Sequence, residues 1–339
     1  MIKDLRRDIM ILKNRVVVMI SIVFLIFLFC FSLFIGNYEI NFFKGIKLLF
    51  GGGDINSLEY KILWNLRVPR AIMAIIIGML LGSSGAITQT LFRNPMADPY
   101  IIGISASGTF GAVIAFLLGL SEGYFGIFGS LFSFLTSILI FKLSNGKRGS
   151  LDLSTLLIIG IAISALLRAL ISLTMYLVGE DSFRVVLWTM GYLGGGDWKK
   201  ISILLVPLVF SLIYFYMNRY NLDIILLSDE EAHSLGVNIK KFKYKVLMIS
   251  TFMVGFSVAF TGMIGFVGLI IPHLVRIIFG SSNIKLIPLS MLYGGVFLLF
   301  CDTVSRGVST TMEIPIGIVT AIFGAPFFIY LAFKNRRGV

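Results

Sequence analysis

Few residues of this 339-residue chain carry groups that could do chemistry, and most of those lie at the ends of long apolar runs. Arg67 and Arg70 flank a Val-Pro dipeptide directly before one run, and Asp302 lies four residues before Arg306 at the end of another. Residues four apart on a helix are neighbours, so Asp302 and Arg306 are expected to pair. Arg168 is the single charge in the middle of an apolar run.

The sequence lacks the motifs by which enzymes hold phosphate, zinc or an activated nucleophile. The one Gly-Lys pair, Gly146-Lys147, has neither the upstream glycine nor the following hydroxyl of a phosphate-binding loop. His233 and His273 are far apart, and no His-Glu-x-x-His or Gly-x-Ser-x-Gly motif occurs. Cys30 and Cys301 lie within apolar runs and are interpreted as small buried hydrophobic residues. We therefore expect no catalytic site, metal or cofactor on this chain.

The composition excludes a soluble globular protein. Hydrophobic residues make up 57% of the chain, charged residues only 14%, and the mean hydropathy is +0.95. A helix needs roughly 20 apolar residues to cross a bilayer, and such runs recur along the whole length. The sequence predicts an all-α bundle of about ten transmembrane helices, forming a single domain over residues 1–339. The expected spans are residues 16–35, 71–92, 99–121, 123–141, 153–179, 201–218, 246–261, 265–279, 286–304 and 314–333.

The first run is interpreted as a retained helix, because its 20 uncharged residues exceed the apolar core of a signal peptide. The net charge is +12, and the basic residues flank the spans, which favours phospholipid contact over nucleic acid. With the N-terminus inside, 19 of the 29 Lys and Arg residues lie on the cytoplasmic side and 9 outside. This excess predicts a multi-pass protein with both termini in the cytoplasm.

The longest predicted cytoplasmic segment, residues 219–245, has an acidic centre on an otherwise basic side. Ser228 followed by acidic residues is typical of a helix N-cap, and Gly236 is typical of a helix stop. A short polar helix is therefore expected between the sixth and seventh spans. It is either a plain loop helix or a docking surface for a cytoplasmic partner.

Four blocks of sequence resemble permease subunits of ABC importers for iron–siderophores, haem and cobalamin, the FecCD type. They are Arg-Val-Pro-Arg at 67–70, the run at 85–99 that contains Arg-Asn-Pro-Met-Ala-Asp-Pro, the glycine-rich block at 262–276, and Glu-Ile-Pro-Ile-Gly at 313–317, which Gly-Ala-Pro at 324–326 follows. Their order and spacing match the family from residue 67 onward.

The resemblance implies the architecture of a type II ABC importer permease in the cytoplasmic membrane of a bacterium. Two permeases, as a homodimer or a pair with a related chain, would surround a central pathway. Two cytoplasmic ATPase chains would bind ATP and magnesium below, and a solute-binding protein would dock outside. The permease itself would be a transport subunit without enzymatic activity.

The resemblance also implies roles for residues that match the family's motifs. Arg67, Arg70 and Arg306 would meet carboxylates of the binding protein, with lipid-phosphate anchoring as the alternative. Ser154 and Thr155 would belong to the cytoplasmic gate, or be ordinary helix-capping hydroxyls. The helix that couples to the ATPase would comprise Ser228, Asp229, Glu230, Glu231, Ala232, His233, Ser234, Leu235 and Gly236.

The expected cargo is an iron complex, either a ferric siderophore or haem, and cobalamin is the alternative within the same family. An ion-coupled carrier would need carboxylates in the middle of its spans, and the sequence offers none there. A membrane-embedded enzyme would need a catalytic cluster, and none is visible.

Overall fold

The computed structural model describes residues 2–121, 123–144, 153–179, 183–227, 229–236, 238–308 and 313–336, and their regular structure is entirely helical. A π-helical turn, Ile62–Arg67, leads directly into α4, and a 3-10 turn, Pro99–Ile102, precedes α5. The α-helices are α1 (Ile2–Ser32), α2 (Phe42–Leu49), α3 (Leu58–Lys61), α4 (Val68–Leu91), α5 (Ile104–Leu117), α6 (Gly123–Leu143), α7 (Leu153–Val178), α8 (Phe183–Thr189), α9 (Trp198–Met217), α10 (Arg219–Ile224), α11 (Asp229–Ser234), α12 (Ile239–Thr261), α13 (Val267–Phe279), α14 (Asn283–Gly307) and α15 (Ile316–Arg336).

Seven helices of the described residues are long and apolar enough to cross a membrane, namely α1, α4, α6, α7, α9, α12 and α14. Three shorter apolar helices, α5, α13 and most of α15, join them. The predicted all-α bundle of about ten membrane helices is confirmed.

The third span is shorter than predicted. The sequence analysis expected a helix over residues 99–121, but α5 has only 14 residues, about 21 Å at 1.5 Å per residue. The cause is Gly103, whose φ of 80° ends the 3-10 turn and lets α5 begin in a new direction. The short helices α8 and α10 were not predicted, because segments of six or seven residues show no usable periodicity.

Helix α4 is the centre of the bundle. In its most apolar window 83% of the residues are buried, compared with 11% in α1 and in α7. The expectation that both cysteines are buried is wrong for Cys30, which is exposed on peripheral α1, and holds for Cys301 on α14.

Helices α4 and α14 touch through their backbones. A Cβ atom added at Gly78 would lie 2.2 Å from the carbonyl oxygen of Gly294, and one added at Gly82 would lie 2.2 Å from that of Ser290. No side chain can stand between two backbones at this distance. Small residues allow such close contact between membrane helices, which gain van der Waals packing from it.

Helices α12 and α13 are joined by a tight turn, as the glycines of the 262–276 block predict. Helix α12 ends at Thr261, and α13 begins at Val267. Gly262 and Phe266 both have φ of 68°, a left-handed conformation that is uncommon for a residue with a side chain. The break between the two helices therefore takes only five residues.

The α4–α14 contact gives a direct test of the packing. Gly78→Ala forces a methyl group into the backbone of α14, which we expect to cost about 1–3 kcal/mol or more by overpacking. The thermal unfolding midpoint in detergent should fall by at least about 2 °C. Gly123→Ala is the matched control, because a Cβ at Gly123 would meet nothing within 4 Å. Equal midpoints for the two variants would contradict the close contact.

Candidate functional site: two polar ends and an apolar cavity

The polar residues singled out in the sequence gather at opposite ends of the α4–α14 pair. Because the two helices run antiparallel, the start of α4 and the end of α14 share one end, which contains Arg67, Arg70 and Arg306 and is here called the arginine end. The other end lies near α10 and α11 and is here called the α11 end.

Asp302 holds two arginines together at the arginine end. Its Oδ1 accepts a hydrogen bond from Nε of Arg70 at 2.8 Å, and its Oδ2 accepts one from Nε of Arg306 at 3.1 Å. All three side chains are buried, Asp302 completely. The expected pairing of Asp302 with Arg306 is present, and Arg70 is an additional partner. A carboxylate between two guanidinium groups compensates charges that would be costly to bury alone.

Glu313 completes the cluster from the segment before α15. Both carboxylate oxygens lie 2.9 Å from Nη1 of Arg70, and the Glu313 side chain is 32% exposed. Tyr192 lies beside this pair, with its ring centroid 6.0 Å from the Arg70 guanidinium carbon. Burial, together with the nearby Glu313 carboxylate, raises the pKa of the Tyr192 phenol. Glu313 lies in one of the four family blocks, but its role is not visible in the sequence because its partner is 243 residues away.

Arg67 is bound to the end of the first helix rather than to a carboxylate. Its Nη1 donates to the carbonyl of Leu33 at 2.8 Å, and its Nη2 donates to the carbonyl of Tyr38. Arg67 and Arg306 thus both bind main-chain oxygens after α1, because Nη1 of Arg306 donates to Ile35 at 2.9 Å.

The three arginines to which the family resemblance assigns docking are almost completely buried in this chain. Arg67, Arg70 and Arg306 are only 6%, 7% and 5% exposed. Their burial is compensated in part because each guanidinium group donates hydrogen bonds to neighbouring carboxylates or carbonyl oxygens. Nη2 of Arg306 is an exception, since it has no hydrogen-bond partner among the described residues.

At the α11 end, the structure contains the short polar helix that the sequence predicts. Helix α11 covers Asp229–Ser234, and Gly236 follows with φ of 81°, as expected for a glycine that stops a helix. Ala232 is buried, whereas Glu231, Ser234, Leu235 and Gly236 are exposed. Ser228 lies outside the described residues, as do the side chains of Asp229, Glu230 and His233.

Ser154 and Thr155 lie in the first turn of α7. Ser154 is exposed and Thr155 is half-buried. The remainder of α7 is also largely exposed, and it includes the Arg168 side chain near the middle of the helix.

A cavity of about 820 Å³ opens between the start of α5, the α12–α13 turn and α15. The backbone N–H of Gly317 donates to the carbonyl of Met190 at 3.0 Å, which fixes the start of α15 beside this turn. The described residues that line the cavity include Met190, Met263 and Phe266, and none of the lining residues carries a charge. The cavity can therefore accommodate a bulky molecule without binding it through an ion pair.

Comparison with known proteins agrees with this architecture. Residues 24–334 match the model of the FecCD transport family. This chain belongs to the FecCD transport family. It is therefore a multi-pass ABC importer permease, as the sequence analysis predicted.

The relatives are named for different cargoes. The chain is 36% identical to the hemin transport permease HmuU of Yersinia pestis, over 83% of this chain and 86% of that protein. It is 35% identical to the molybdate import permease MolB of Haemophilus influenzae, over 91% of this chain and 92% of that protein. It is 36% identical to the cobalamin import permease BtuC of Halobacterium salinarum, over 80% of this chain and 73% of that protein.

A solved structure supports the fold independently. An inward-facing ABC transporter of metal-chelate type superposes with a TM-score of 0.83 at 32% identity, over 94% of this chain and 99% of that chain. Its near-complete coverage indicates that the helices described here share one family arrangement.

The buried ion cluster predicts a large stability effect. Asp302→Ala leaves the Arg70 and Arg306 guanidinium groups without their shared carboxylate, which we expect to cost about 3–5 kcal/mol. Thermal unfolding in detergent measures the loss. Glu59→Gln is the control, because Glu59 pairs with exposed Lys44 near the surface and should leave the midpoint almost unchanged. A midpoint for Asp302→Ala within 1 °C of the Glu59→Gln value would show that the cluster contributes little.

Proposed function

We propose that this FecCD-family permease imports an iron complex, either a ferric siderophore or haem, by means of ATP hydrolysis on a partner protein. Two copies would form the pathway, and two ATPase chains would bind ATP and magnesium in the cytoplasm, where both termini of the permease lie. The permease would carry no cofactor of its own. The observation that carries the proposal is the uncharged cavity of about 820 Å³, whose size suits an organic metal complex.

Cobalamin remains the alternative cargo, because it is also bulky. Relatives at similar identity are named for hemin, cobalamin and molybdate import, so family membership leaves the choice open. Uncharged walls favour the large complexes over a small oxyanion, which would need charged or polar groups to compensate for its lost water.

The exposed face of α7 supports the pairing of two permeases. Leu166, Leu173 and Tyr176 expose 61%, 54% and 84% of their surface on this helix. Arg168 is exposed among these apolar side chains. A mid-span arginine facing lipid is costly, so this face should adjoin a second copy and a water-filled pathway. The cytoplasmic gate would then include Ser154 and Thr155 at the start of the same helix.

The arginine end supports docking of a solute-binding protein. Arg67, Arg70 and Arg306 outnumber the two acidic side chains of the cluster, which leaves an excess positive charge. Nη2 of Arg306 lacks a partner among the described residues. A carboxylate of the binding protein could compete with partly exposed Glu313 for Arg70, and the charge of buried Arg306 would strengthen that attraction. Lipid phosphate would be attracted by the same charge and is the alternative ligand.

Helix α11 and Gly236 would form the coupling helix that contacts the ATPase. Leu235 is 59% exposed, an unusual position for leucine on a polar segment, and it could insert into an apolar cleft. Glu231, which is exposed on the same helix, would form the polar edge of that contact.

Uptake into proteoliposomes tests the proposed function. The permease is reconstituted with its ATPase, and ⁵⁵Fe-labelled ferric siderophore or haem is supplied on its binding protein. We expect uptake that requires hydrolysable ATP inside and stops with a non-hydrolysable analogue. Uptake driven by a proton or sodium gradient without ATP would refute the proposal. ATP-driven uptake of cobalamin in place of both iron complexes would identify the alternative cargo.

Arg306→Gln tests docking at the arginine end. This change removes the charge with the unpartnered N–H, while Arg70 still compensates Asp302. The binding protein should bind the reconstituted complex at least about tenfold more weakly, equivalent to about 1.4 kcal/mol. Lys44→Gln is the control, because Lys44 is an exposed cation on the same side but outside the cluster. Unchanged affinity in Arg306→Gln would exclude direct docking there, and equal losses in both variants would indicate non-specific attraction.

A further inference from the structure

Helix α14 is capped at the α11 end by a side chain from another helix. The first N–H groups of a helix need acceptors, which a side chain at the N-cap position commonly supplies. Ser282 holds that position in α14, yet its side chain makes no capping hydrogen bond. Asp223 of α10 supplies the acceptor instead, because its Oδ1 lies 2.5 Å from the Asn283 nitrogen. Its Oδ2 also accepts from the Ser282 hydroxyl at 2.7 Å.

Asn283 joins the same helix α10 to α4. Its side-chain nitrogen donates to the carbonyl of Leu222 in α10 at 2.9 Å. Its side-chain oxygen accepts from the Thr90 hydroxyl of α4 at 2.7 Å. Asn283 is 1% exposed and Thr90 is fully buried, so water does not compete for these bonds. Helices α4, α10 and α14 therefore meet in one buried network.

Arg93 binds the chain directly after the C-terminal end of α10. This residue follows α4 and has φ of 47°, a conformation that residues with side chains rarely adopt. Its Nε and Nη2 donate to the carbonyl of Ile225 at 3.1 and 2.9 Å, and Nη2 also donates to Leu227. Helix α11 begins two residues after Leu227. The segment that leads into α11 is thus held at both of its ends.

The fastening extends across the whole bundle, because α4 and α14 are in backbone contact at Gly78 and Gly82. At the arginine end of this pair, Nε of Arg70 on α4 lies 2.8 Å from Oδ1 of Asp302 on α14. A displacement of α10 therefore acts on a pair of helices that extends to the arginine end.

We infer that Asp223 is the positioning residue that fastens the coupling segment to the α4–α14 pair, so that movement of the ATPase enters the bundle through these two helices. The inference rests on the proposed function, since it assumes that α11 contacts the ATPase. Asp223 is not among the described residues that line the uncharged cavity. Its role is to keep α10 and α14 moving together.

The number of cargo molecules imported per ATP hydrolysed tests this role. Asp223→Ala removes both acceptors, so the ATPase should move α11 without moving α14, and the ratio should fall at least threefold. A residue that only stabilised the fold would lower the amount of complex without changing this ratio. Asn238→Ala is the matched control, because Asn238 caps α12 at the same end but binds Lys241 of its own helix. Its ratio should equal that of the wild type.

An unchanged ratio in Asp223→Ala would overturn the inference. If that variant does not assemble, Ser282→Ala decides, because it removes one of the two bonds and keeps the cap on Asn283. A reduced ratio in Ser282→Ala supports the inference, and a wild-type ratio overturns it. Failure of the wild-type complex to import with ATP would instead refute the proposed function, so the two failures are distinguishable.

Discussion

The rest of the structure depends on the backbone contact between α4 and α14. A Cβ atom added to α4 at Gly78 or Gly82 would lie 2.2 Å from a carbonyl oxygen of α14, so the two backbones leave no room for a side chain between them. Because α4 is the most buried of the long helices in the described part of the chain, the other helices pack around this pair. The contact also sets the spacing of the polar groups at both ends. Arg70 can reach Asp302, and Thr90 can reach Asn283, only because the two backbones are this close.

The two ends use charge differently. At the arginine end, buried guanidinium groups share carboxylates, which makes the loss of either partner costly. At the α11 end, the Asp223 carboxylate at the N-terminus of α14, the Asn283 amide and the Arg93 guanidinium join three helices through hydrogen bonds. Between the ends, the described lining of the cavity is uncharged. This distribution of charge suits a transport pathway whose walls bind the cargo weakly and whose polar contact sites lie at the two surfaces.

Much of the fold followed from the sequence, because lipid requires long apolar helices and glycines or prolines interrupt them. The turn after Thr261 and the helix that ends before Gly236 were predictable for this reason. The length of α5 was not predictable. The sequence shows a continuous apolar run there and does not reveal that Gly103 adopts a left-handed conformation within it. The site was harder to predict. Arginine at positions 67, 70 and 306 pointed to charge recognition, but their burial depends on partners such as Glu313. No local pattern reveals a contact between residues that are hundreds of positions apart.

The central claim is that α4 and α14 move as one body, whereas α7, whose start would include the proposed cytoplasmic gate, would move relative to them. Pulsed electron paramagnetic resonance can measure this in a cysteine-free background, with spin labels at Leu66 and Ile284, which are exposed beside α4 and on α14. Only one chain of each complex is labelled. The distance distribution should be the same without nucleotide and with ATP bound, whereas the distance from Leu66 to a label at Leu173 on α7 should shift. A change between Leu66 and Ile284 of about 5 Å, one helical turn, would contradict the account.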